Sequence, residues 1–203
     1  MKTNSLLYAN LTKDILPPYT KRAPTVSAQF LRWFLENIFR QDEQEADDAC
    51  VDNKQDKGVD GILVNNVIET IFIIQCKVQQ KEKATLGDTD LKEFRGTLEQ
   101  FSTPESIQVI LDGAANAELK NAILRDGIKE KIKSGYLVEG VFCSNVVLNQ
   151  DGNDYLKTCP DLSVYDASRI CEEYIDISAT SGVPGNFTFD VSDTEVIRYL
   201  TSD

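Results

Sequence analysis

Residues 56–78 read DKGVDGILVNNVIETIFIIQCKV. Two Val- and Ile-rich runs within it, 58–64 and 67–78, are too β-branched for a comfortable helix and predict two neighbouring strands. Asp60 opens the first run, and Gln75 and Lys77 close the second. Residues two apart in a strand share a face, so Gln75 and Lys77 project side by side while Cys76 points the other way. Two registers are open. A tight turn at Asn65-Asn66 sets Asp60 opposite Ile71, roughly 13 Å along the strand from Gln75. A wider loop over 65–70 sets Asp60 opposite Gln75 and makes the polar groups converge.

On the N-terminal side, Phe30, Trp33, Phe34, Ile38 and Phe39 recur at helical spacing from Ser27, and the acidic run 42–48 extends that helix by a turn or two. The segment before it, through Pro24, is polar and proline-punctuated and reads as irregular. On the C-terminal side, Leu91, Phe94, Leu98 and Phe101 predict a helix capped by Asp88 or Thr89. A short strand is expected near 107–111. A third helix runs from Leu119 to Ile132, with a solvated lysine face, and ends at Ser134-Gly135. Residues 136–144 and 162–165 read as strands and 167–177 as a helix. The order helix, strand, strand, helix, helix, strand, helix, strand, helix gives a mixed α/β layer fold. Phe187–Val191 alternates like a strand, and Ser192 with Glu195 forms a capping-box pattern, so 181–203 reads as a C-terminal extension that can begin a further domain.

The chain has 203 residues, no histidine, five cysteines and a formal charge of −12. That length buries a core for one domain. Absent histidine removes Ser-His-Asp and Cys-His catalysis and histidine general bases. The cysteines are scattered without a CxxC pair and read as reduced thiols. With no long apolar run and no signal peptide, the expectation is a soluble cytoplasmic protein without a membrane partner. Strong acidity opposes a nucleic-acid partner, but it is unevenly spread: residues 1–40 carry an excess of 4 positive charges and residues 150–203 an excess of 8 negative ones. Residues 41–60 carry an excess of 6 negative charges leading into Asp60, where a divalent cation would offset them.

What remains for hydrolysis is carboxylate, amide, lysine and a hard metal. Asp60, the Gln75 side-chain oxygen and the Cys76 backbone carbonyl are oxygen ligands of the kind Mg²⁺ takes, and Lys77 can orient a water or stabilise charge on a phosphorane-like transition state. Lys81, Lys83, Lys92 and Arg95 adjoin this site and are the candidate phosphate-binding residues.

Asp56-Lys57-Gly58-Val59-Asp60 followed by Gln75-Cys76-Lys77 resembles the D-x-G-x-D and Q-x-K motifs of the PD-(D/E)xK nuclease superfamily, in the glutamine variant of Mrr-type restriction endonucleases. The longer pattern, from Phe30 through Asp52 to Lys77 with VFCSN and SVYDAS downstream, is similar to the N-terminal domain of abortive-infection phage-resistance (AIPR) proteins. The resemblance implies a restriction-endonuclease-like mixed β-sheet flanked by helices over 25–180, following an irregular segment 1–24. It also implies Mg²⁺-dependent DNA cleavage, with Mn²⁺ as a substitute, and a role in prokaryotic defence against phage. Asp60 becomes the metal ligand, Gln75 the equivalent of the acidic ligand, and Lys77 the catalytic lysine. A helix glutamate, Glu36 with Glu43 and Glu45 as rivals, joins them, and Gln29 stands where related sequences often have an acid. A catalytically silent nuclease-fold module and a nuclease of RNA or DNA junctions are the competing readings. A homodimer and a missing C-terminal domain are compatible with all of them.

Overall fold

The computed structural model describes residues 1–51 and 58–176. Asp52, Asp56 and the 181–203 extension lie outside them. A four-stranded sheet in the order β1-β2-β3-β4 forms the middle layer. β1 (Gly61–Asn65) pairs antiparallel with β2 (Thr70–Lys77); β2 pairs parallel with β3 (Leu137–Ser144), and β3 parallel with β4 (Leu162–Tyr165). The sheet is mixed and helices cover both faces. Alternation along β2 explains this: Ile71 and Ile73 enter one core, and Ile74 and Cys76 the other. Parallel strands buried on both faces are expected to read as continuous apolar runs, as TIFII does.

One face carries α4 (Asp88–Glu99), α5 (Pro104–Asp112), α6 (Ala117–Arg125), α7 (Ile128–Lys133) and α8 (Gln150–Leu156). The other carries α2 (Val26–Asn37), α3 (Glu43–Ala49), α9 (Ala167–Glu173) and the first 25 residues. Those residues are not irregular as expected. They wind through short helical turns, including α1 (Tyr8–Asn10), and bury Leu6, Leu11, Leu16 and Tyr19.

Three further expectations change. Residues 107–111 lie in helix α5, started by Thr103, whose hydroxyl accepts from the Ser106 N–H, and by Pro104 in the first turn. The run 119–132 is two helices, broken at Asp126-Gly127, where Gly127 takes a φ of 60°. The acidic run is a separate helix, α3, opened by an Asp42–Glu45 capping box after Arg40 turns the chain with a φ of 58°.

The β1–β2 connection settles the register. Asn65 accepts through its side chain from the Val67 and Ile68 N–H groups, at 2.9 and 3.3 Å, and Glu69 adopts a φ of 50°. The turn is therefore the wide one. Gly61 pairs with Ile74, which brings Asp60 to the level of Gln75. No helix among the described residues is long and apolar enough to cross a membrane.

Candidate active site

After α3, Cys50 and Val51 lie along the outer edge of the sheet. Cys50 bridges Gly61, and the Val51 N–H donates to the Asp60 carbonyl at 2.9 Å. Gly58 makes the turn with a φ of 78°. A Cβ there would lie 3.1 Å from Thr97 Oγ1 and 3.6 Å from Gln75 Nε2, so both backbone and space favour glycine. Val59 anchors the turn in the core. Asp60 then donates its N–H to the Ile74 carbonyl at 2.8 Å and accepts, through Oδ2, the Cys76 N–H at 2.7 Å.

That last bond fixes a second donor. The N–H and C=O of one strand residue point to the same edge, so the Cys76 carbonyl faces Asp60. The Lys77 carbonyl faces the other way and accepts from the Ser144 hydroxyl at 2.9 Å. Gln75 stands half-buried beside them, and Lys77 Nζ contacts Asp90 Oδ1 on α4 at 2.5 Å. All these groups gather where the parallel strands β2 and β3 end together, Lys77 beside Ser144, which is where open α/β sheets present ligand sites. Burial, with Cys143 and then Asp60 adding to it, pushes the Cys76 thiol well above its ordinary value, so it is a packed hydrophobe and not a nucleophile.

The structure does not bring Glu36 there. The Cys76 thiol donates to the Ser27 carbonyl at 3.3 Å, and Phe39 stacks edge-on against Phe72 at 5.5 Å, so α2 runs antiparallel to β2. Glu36 therefore lies about 13 Å along the helix from the site, at ~1.5 Å per residue. Its carboxylate accepts from Arg22 at 2.6 Å and Tyr19 at 2.7 Å. Glu43 also faces Arg22, and Glu45 closes its own capping box. Gln29, near the site end of α2, donates to the Ala23 carbonyl at 2.9 Å. Among the described residues no cluster of three or more acidic or thiol groups is placed to hold a metal.

Arg22 reaches Asp47 as well, at 3.0 Å, and Arg32 meets the same carboxylate at 2.6 Å. Burial alone would raise the Asp47 carboxyl, but the hydrogen bonds from Arg22 and Arg32 overcome it and hold it below the usual carboxylate range. A carboxyl depressed in the folded state stabilises fully above its unfolded value of about 3.9, and that stabilisation is lost as pH falls through the folded value. Below about pH 4 the melting temperature of the parent should thus fall more steeply than that of Asp47→Asn. Parallel melting curves across that range would remove Asp47 from the acid sensitivity.

The four phosphate-binding candidates divide. Lys81 and Lys83 are exposed in the loop after β2, beside the site. Lys92 pairs with Asp88 at 2.6 Å and sits over Tyr155, while Arg95 meets Asp161 at 3.4 Å and the Cys159 thiol at 3.2 Å. These two face α8 and β4, not Lys77. Conversely, sequence reasoning missed Asp90 and Thr97, which share the α4 face toward the strand ends. A cleft of about 360 Å³ lies elsewhere, between α3, the edge of β1 and α6–α7, lined by Glu45, Asp48, Arg125 and Lys131.

A mixed sheet between helix layers, with an acid-amide-lysine set at its strand ends, defines a restriction-endonuclease-like α/β domain. Residues 24–117 match the Mrr_cat family model, described as Restriction endonuclease, and the match spans α2 to the start of α6 with Asp60, Gln75, Lys77 and Asp90 inside it. The match covers somewhat less than half of the chain and likens that span to restriction endonucleases. No curated protein and no solved structure matches the chain.

Proposed function

We propose that this chain is a divalent-metal-dependent endodeoxyribonuclease, with Mg²⁺ as the resident ion and Mn²⁺ as a substitute. The observation that carries the reading is the wide β1–β2 turn, which puts the Asp60 carboxylate against the Cys76 backbone, next to Gln75 and Lys77. The donors fit the ion: Asp60, the Gln75 amide oxygen and the Cys76 carbonyl are hard oxygens, and Mg²⁺ is commonly held by one or two carboxylates plus water and phosphate. Bound there, the ion would polarise a phosphodiester and acidify a water. Lys77 would place positive charge where the transition state gathers negative charge, and Lys81 and Lys83 would hold the strand beside it. A defence role is proposed from the resemblance of the Phe30–Lys77 sequence pattern to abortive-infection phage-resistance proteins alone.

A catalytically silent module is the second reading, favoured by the single carboxylate among the described donors and by the amides Gln75 and Gln29. Supercoiled plasmid with Mg²⁺ distinguishes the two. The parent should nick and linearise it, EDTA should stop the reaction, and Lys77→Ala should be inactive in Mg²⁺. Equal nicking by Lys77→Ala would indicate a contaminant, and DNA binding without cleavage by the parent would establish the silent module.

A further inference from the structure

Lys77 is a four-carbon stem on the last residue of β2 with its side chain 45% exposed. Its ammonium is nevertheless held at the tip by Asp90. Asp90 stands in the first turn of α4, and Leu91, Phe94 and Leu98 sink that helix in the core, so the carboxylate is mounted on a rigid element. Two turns along the same face, Thr97 abuts the Gly58 turn that carries Asp60. One helix thus borders both ends of the candidate site.

An acid in a first helical turn is favourable for the helix dipole alone, and exposed ion pairs contribute little. Asp88 fits that account, since it pairs with Lys92 in its own helix. Asp90 does not, because it reaches across to a strand residue thirteen positions earlier and is itself only 22% exposed. Gln75 is neutral, and Asp90 is the carboxylate in direct contact with the Lys77 ammonium.

We infer that Asp90 is the positioning residue for Lys77, holding its ammonium at the end of β2 in the place where a scissile phosphate would meet it. This rests on the nuclease reading of the site. Preorganised charge acts without reorganisation during reaction, and misplacement by an ångström is costly.

The test compares the full chain with Asp90→Asn and Asp90→Glu. On plasmid with Mg²⁺, Asp90→Asn should lower kcat roughly 10- to 100-fold with KM unchanged, and Asp90→Glu, which keeps the charge, should recover most of it. Independently of activity, acetic anhydride labelling read by peptide mass spectrometry should modify Lys77 faster in Asp90→Asn, relative to Lys81 and Lys83 in the same sample. Unchanged or raised kcat in Asp90→Asn, or unchanged Lys77 labelling, overturns the inference. A parent that shows no Asp60-dependent cleavage overturns the nuclease reading instead, and the labelling alone then decides whether Asp90 holds Lys77.

Discussion

Asp60→Asn should lower plasmid cleavage by roughly 10²- to 10³-fold, the scale of losing one preorganised electrostatic group, while leaving the melting temperature close to that of the parent. The asymmetry follows from the two things the carboxylate does. Structurally it accepts the Cys76 N–H at 2.7 Å, and an asparagine oxygen can accept the same bond from the same place. Chemically, among the described residues, it is the one carboxylate on the strand ends themselves that could meet a divalent cation, and asparagine removes that charge. Asp60→Ala separates the roles, because it also leaves a part-buried N–H without its acceptor, at a cost of about 1–3 kcal/mol. The expected ranking in cleavage is parent far above both variants; in stability it is parent near Asp60→Asn, with Asp60→Ala below. Titration with Mn²⁺ should show weakened binding in both. Parent-like cleavage by Asp60→Asn would falsify the metal-ligand assignment.

The legibility of this site in the sequence has a physical boundary. TIFIIQCK announces a strand buried on both faces, and that reading needs only composition. Placing Asp60 opposite Gln75 needs the turn, and the turn is decided by the Asn65 side chain bonding two backbone N–H groups and by Glu69 entering the left-handed region. The first is an Asx-turn, which Asn favours, but the Asn-Asn pair serves the tight turn as readily, and the φ of Glu69 is no propensity of its residue type. Glu36 sits on the polar side of its helix as expected, but its partner is Arg22, fourteen residues earlier, in a segment that reads as irregular. Leu6, Leu11 and Leu16 are spaced by five, a period of neither helix nor strand, so their burial leaves no periodic trace. At 104–112 the sequence holds both signals: Thr-Pro is a helix start, while IQVIL, rich in β-branched residues, reads as a strand. Asp90 differs from Asp88 only in which face of α4 it occupies, and that face is set by packing.

That packing is where the largest stability effect is expected. Phe94 is fully buried, meets Phe142 of β3 edge-on at 5.8 Å, and lies one turn after Asp90. It fills the space over Gly140, where a Cβ would come within 3.1 Å of the Phe94 ring and 3.0 Å of Leu98 and Leu162. Phe94→Ala should therefore cost about 3–5 kcal/mol, since the neighbours are strands and a core helix that collapse only partly into the cavity. For a chain of this size that lowers the melting temperature by roughly 10 °C. Gly140→Ala alone should destabilise by about 1–3 kcal/mol through overpacking. Combined, the two changes should cost less than their sum, because the added methyl enters space the ring has vacated. Strict additivity would mean that α4 does not seat on β3 through this contact. Since α4 also carries Asp90, a loosened Phe94 seat should raise Lys77 labelling in Phe94→Ala at temperatures well below its melting transition, linking the core to the site through one helix.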